Sequence, residues 1–228
     1  ASLLLLKKIA VEKTALTGLK KQFRAARLAY KKMAVLTEYF NPYQTKQLNG
    51  PAIPRIESEV ADIIIPPQGF QAIEQLLFAD WDISTGHKQL ADLADEMIRT
   101  LTAIEKEPDR RNKFKKELVF DAMRATVVSI TTTGITGFDS PIAGHSVPEA
   151  VASLEGVLNL IPFFTSETEK EKLRHLSSFS ILINKTILYL KQQGSFNDFD
   201  RLGFITRFIN PLFQQLVKAR INTGVGIP

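Results

Sequence analysis

The chain has 228 residues, 44% hydrophobic and 23% charged, with a formal net charge of +5 and no cysteine. That length and balance suit a globular protein of one large or two small domains with a core of useful size. The lack of cysteine excludes disulfides, thiolate zinc sites, iron–sulfur ligation and a Cys-x-x-Cys-His haem attachment within these residues.

Leu3 to Leu6 is too short for a signal peptide and has no basic region before it, so it reads as the start of a mature chain or of an expressed piece of one. Residues 3 to 40 are expected to form one long helix. Ile9, Leu16, Leu19, Phe23, Ala26, Tyr30 and Met33 mark its apolar stripe. Lys13, Lys20, Arg24, Arg27 and Lys31 follow a similar rhythm on another face. Nine Lys or Arg face the single Glu12 between Lys7 and Lys32, which is read as a solvated helix face. No aromatic-interleaved basic groove accompanies it, so no nucleic-acid partner is expected.

Asn41-Pro42 ends that helix. Residues 41 to 68 are expected to be a long irregular connection punctuated by Asn49-Gly50-Pro51, Ile53-Pro54 and Pro66-Pro67, with Ile63 to Ile65 as a short extended piece. Loops of that length often lie over a binding site. Helices follow over about 69–78 and 85–106, the second carrying Leu90, Leu93, Ala94, Met97, Leu101 and Ile104 at helical spacing. Asp109 is the expected N-cap of a helix to about Thr133, weakened by Thr131 to Gly134. A second loop spans Gly137 to His145. Ser146 and Glu149 then form a capping box for a helix to about Phe164, and Ser166 and Glu169 another for a helix to about Gln193. A last helix begins at Asn197 or Asp198, is interrupted at Asn210-Pro211 and reaches about Ile221. No run approaches the ~18 apolar residues of a membrane span, so no transmembrane segment is expected. The fold class is therefore all-α, with halves of about 1–107 and 108–221, a linker at 222–228, and loops converging on one cleft.

Chemistry concentrates at the start of the 69–78 helix. Gln71 and Glu74 lie three apart and project from one face. A neutral amide with a carboxylate is a poor pair for a transition metal but a sound polar pocket floor. Asp139, Ser140 and His145 lie in the second loop, and His145 is placed to approach Glu74 and Asp139 if the loops converge. His87 and His175 read as surface residues at polar helix starts. Ser140 precedes a proline with no histidine in a nucleophile pattern, so nucleophilic catalysis has little support. The phenylalanines from Phe163 to Phe213 read chiefly as core.

Gly69-Phe70-Gln71-Ala72-Ile73-Glu74 resembles the Gly-x-His-x-x-Glu signature of imelysin-like proteins, with Gln71 where that family has histidine. Asn49 to Pro54, Pro66 to Gln71 and Gly137 to Pro141 are similar to the imelysin-like domain at the N-terminus of bacterial di-haem cytochrome c peroxidase-like proteins. The resemblance covers most of the chain. It implies an imelysin-like helical bundle in the periplasm or cell envelope, acting as a non-catalytic binding or interaction domain. Its cleft would include Gly69, Gln71, Glu74, Asp139, Ser140 and His145. No cofactor is expected in this chain; haem would belong to a C-terminal di-haem domain or other envelope partner beyond the tail. Two alternatives follow from the wider family. One is an iron-binding protein for iron uptake, with Glu74 and His145 or Asp139 as ligands. The other is an imelysin-type metallopeptidase, against which Gln71 argues directly.

Overall fold

The computed structural model describes residues 1–57, 63–107, 113–165 and 170–226. The fold is all-α, with a single two-stranded ribbon among the described residues. It divides into two compact units, each assembled from separate stretches of chain.

The first unit comprises Ala1–Ala29, Asn41–Pro108 and Asp139–Ala143. Helix α1 (Ser2–Val11) packs Leu3, Leu6 and Ala10 toward α5 (Gly86–Glu105), whose inner face is Leu90, Ala94, Met97 and Ile104. The single helix expected over 3–40 is in fact two. Lys13 takes a left-handed φ of 55°. The amide of Lys13 bonds Ala10 O at 3.1 Å and that of Thr14 bonds Ile9 O at 3.0 Å. That pair of bonds is a Schellman terminus, with lysine where glycine usually stands. Helix α2 (Leu16–Phe40) then starts anew. Its first half buries Leu19, Phe23 and Ala26, and Phe23 meets Phe70 and Phe78 at centroid distances of 6.1 and 5.9 Å.

The expected irregular connection is partly ordered. Pro42–Asn49 forms α3, with Pro42 in its first turn, where a missing N–H costs nothing. Strands β1 (Arg55–Glu57) and β2 (Ile63–Ile65) pair antiparallel, Ile56 opposite Ile64. Helix α4 (Gly69–Phe78) follows, buried on nearly every side, and packs on α5.

The second unit comprises Tyr30–Phe40, Asp109–Phe138 and Gly144–Pro228. It contains α6 (Lys116–Ser129), α7 (Ser146–Leu160), the short α8 (Pro162–Thr165), α9 (Lys170–Lys191), α10 (Arg201–Phe204) and α11 (Asn210–Asn222). The expected N-cap Asp109 and the Ser166–Glu169 box lie outside the described residues. Its core gathers Phe120, Met123, Leu154, Phe179, Ile183 and Phe204. Gly156 lets α7 approach the backbone of α2, since a Cβ there would stand 2.2 Å from Lys32 O. The stretch Ser146–Thr165 is apolar enough by composition to cross a membrane, with a mean hydropathy of 1.3. Here it breaks at Ile161, and α7 buries residues such as Val147, Ala150 and Leu154 in this core.

Two π turns bend this unit. Ile130–Gly134 extends α6, closed by the Ile135 amide on Ile130 O at 2.9 Å. Ile205–Ile209 joins α10 to α11. The expected interruption at Asn210-Pro211 is thus a widened turn within a continuous helical run. A proline lacks the amide and crowds the carbonyl four residues back, and the π turn relieves that crowding. The last helix starts at Arg201, later than expected, because Asp200 rather than Asn197 or Asp198 caps it by accepting from the Gly203 amide at 2.8 Å.

Candidate functional site: the Glu74 clamp

Glycine at position 69 is dictated twice. Its φ is +81°, and a Cβ would lie 2.4 Å from Gln47 O and 2.5 Å from Leu48 O. The start of α4 therefore presses directly on the last turn of α3. Two residues on, Gln71 donates Nε2–H to Asn49 O at 3.3 Å, fastening the two helices again. The face carrying Gln71 also carries Glu74, which is fully buried.

Glu74 Oε1 accepts three hydrogen bonds from the 139–143 segment. They come from Ser140 Oγ at 3.2 Å, the Ile142 amide at 2.9 Å and the Ala143 amide at 2.7 Å. Oε2 is buried with no hydrogen-bond partner among the described residues. Arg27, also fully buried, donates Nη2–H to Asp139 O, and its guanidinium lies 5.6 Å from the Phe70 ring centroid. Asn49 Nδ2 donates to Asp139 Oδ1 at 3.5 Å. A buried carboxylate, a buried guanidinium and the Asn49 side-chain amide thus grip the 139–143 segment.

The structure places Gly69, Gln71, Glu74, Asp139 and Ser140 within the first unit. His145 belongs to the second unit, where it stands at the N-cap of α7. That corrects the capping box expected at Ser146. Ser146 is already helical, no side-chain cap bond forms, and its buried Oγ has no partner among the described residues. His87 is not a plain surface residue either: it is half-buried, edge-on to Trp81 at 4.9 Å, with Nε2 3.1 Å from Thr14 O. Sequence reasoning missed Arg27 and Asn49. Arg27 and Lys31, placed on the solvated basic face, are 0% and 4% exposed, whereas Met33 of the expected apolar stripe is 40% exposed. Arg27 directly follows the buried Ala26 and sits one turn beyond Phe23, a spacing that could have marked it.

The donor set around Glu74 does not suit a metal ion. Its Oε1 faces two amide hydrogens and a hydroxyl, and the adjoining Asp139 carbonyl already takes a guanidinium. Among the described residues no group of three or more His, Asp or Glu side chains is arranged to hold a metal. Nor does the loop offer an oxyanion site, since its two converging amides are taken by Glu74. The arrangement is suited to fixing a loop and presenting its outer face, where Ile142 is 45% exposed. No protein-family model matches the chain, and no curated protein is significantly similar to it.

Proposed function

We propose that this chain is a non-catalytic binding or interaction domain of imelysin-like type, belonging to a bacterial envelope protein and acting beside a di-haem peroxidase-like region. The observation that supports this most is the use made of Glu74. In a hydrolase the motif carboxylate would have to act on a substrate or a metal-bound water. Here its inner oxygen is spent on loop amides, and Gln71 is spent on the carbonyl of Asn49. The motif holds a loop in shape, and a held loop is what a recognition surface needs. Haem would be supplied by the adjoining region, since these residues contain no cysteine for its attachment.

The test is intact mass and absorbance of the protein purified from its native source. A heavier chain with covalent haem supports the assignment. A haem-free chain of about this length overturns it. Iron or zinc retained stoichiometrically by the wild type and lost by Glu74→Ala would move the protein to the iron-uptake reading, and chelator-sensitive proteolysis of unfolded substrates to the peptidase reading.

A further inference from the structure

The second unit carries an apolar pocket of about 230 Å³ between α6, α11 and the tail that follows α11. Phe120 and Leu216 form its floor, each nearly inaccessible to solvent. Val217, Ile221 and Val225 form its walls. The tail is folded back to make one of those walls. Arg220 donates Nε–H and Nη2–H to Gly226 O at 3.1 and 2.6 Å, which carries Val225 into place. The same guanidinium donates Nη1–H to Asp121 Oδ1 at 2.6 Å, in a largely buried ion pair.

Asp121 is thereby neutralised, and the remaining charge of the lining belongs to Arg124. Arg124 sits one turn after Phe120 on α6, exposed, and among the described residues it makes no ion pair or hydrogen bond. An apolar hollow with one unspent guanidinium in its lining has a definite complement: a small molecule with an aliphatic or aromatic body and a single carboxylate. Burial of the body supplies affinity, and a charge-assisted pair to Arg124 fixes the head outward. The volume lies below the ~300–1,000 Å³ of ordinary small-molecule sites, so the body is short.

We propose that this pocket is a binding site for medium-chain or aromatic monocarboxylates, separate from the Glu74 clamp and independent of the functional reading above. The experiment is a titration of the full chain with octanoate and with 1-octanol as the uncharged control. It is read by calorimetry and by methyl shifts of Val217, Ile221 and Val225. Saturable octanoate binding that moves those methyls, with octanol at least about tenfold weaker, is expected. Arg124→Glu should weaken octanoate by a similar factor with an unchanged melting curve. Val217→Trp, which fills the hollow from an exposed position, should abolish binding. Absence of saturable binding overturns the proposal, as does equal affinity for octanol or indifference to both variants. Self-association of the ligand-free chain that Val217→Trp removes also overturns it, by making this face an interface between copies.

Discussion

Glu74 and Gly69 carry the strongest single-residue consequences. Glu74→Ala removes the acceptor of two loop amides and a hydroxyl and leaves the part-buried amides beside a cavity. Hydrogen bonds to a charged group contribute more than neutral ones, and orphaned donors cost the desolvation of each group. A loss of about 3 kcal/mol in urea unfolding is expected. Glu74→Gln keeps an acceptor at Oε1, and its amide nitrogen would occupy the place of Oε2, which takes no hydrogen bond among the described residues. It should cost about 1 kcal/mol. Equal losses for the two variants would mean that the carboxylate's acceptor role is not what stabilises the loop. Gly69→Ala must accommodate both a φ of +81° and a Cβ within 2.5 Å of two carbonyl oxygens. Neither strain can relax without separating α3 from α4, so a loss of at least ~2 kcal/mol is expected. A near-neutral result in thermal melts would show that this junction is loose.

At the level of elements, ion pairs and hydrogen-bond forks join helices that sequence could only place one at a time. Glu155 of α7 accepts from Lys32 of α2 at 2.8 Å and from Lys191 of α9 at 3.4 Å. The Lys32 bond, followed by the charges of Lys32 and Lys191, holds the Glu155 carboxyl below the usual glutamate value against the opposing effect of burial. A carboxylate whose folded value is depressed adds stability above its unfolded value, ~4.3, and loses it as pH falls through the folded value. Glu155→Gln should therefore lower stability near pH 7 by less than about 1 kcal/mol, the group being partly exposed, and the difference should shrink as pH falls below ~4.3 and through the folded value. A difference that does not change with pH through the acid range would point to packing instead of charge. Arg201 matters more. It donates to Ile135 O, Phe199 O and Phe196 O at 2.8, 3.2 and 3.0 Å and lies 4.4 Å from the Phe196 ring centroid. A lysine cannot supply that fork, so Arg201→Lys should cost about 2 kcal/mol in thermal unfolding.

The same comparison explains what was legible in advance. Helices α4 and α5 follow from periodicity and glycine placement, because their signals are local. The break at Lys13 was hidden, since a lysine held in a left-handed conformation leaves no mark in composition. The extended piece at Ile63–Ile65 was legible from its β-branched run, whereas β1 and α3 were lost among prolines that read as loop. Gln71, Glu74, Asp139 and Ser140 could be singled out from motif and loop position. Arg27 had a local mark in its spacing from Phe23 and Ala26, but its partner, Asp139 O, lies more than a hundred residues away and left none.

At the scale of the whole chain, the two units are interleaved. Residues 1–107 supply most of the first unit, yet that unit also needs Asp139–Ala143, while residues 30–40 belong to the second. A cut near residue 108 leaves the first unit incomplete at the place where Glu74 is buried. Without the 139–143 segment, Oε1 would lose the three donors it takes from it, and Oε2 has none among the described residues. An unpaired buried carboxylate costs several kcal/mol, comparable with the ~5–15 kcal/mol stability of a whole domain. The fragment 1–107 is therefore expected to lose cooperative unfolding, with weak near-ultraviolet dichroism from Trp81 and its aromatic neighbours. Replacing Glu74 by leucine within the fragment removes the charge that cannot be paired and should recover part of the cooperative transition. In the full chain the same replacement should be destabilising, because there the loop amides are present and would be orphaned. Opposite signs for one substitution in two contexts are what a clamp predicts. A fragment that unfolds cooperatively at the full chain's midpoint, or a leucine that acts alike in both, would reduce Glu74 to an incidental buried acid.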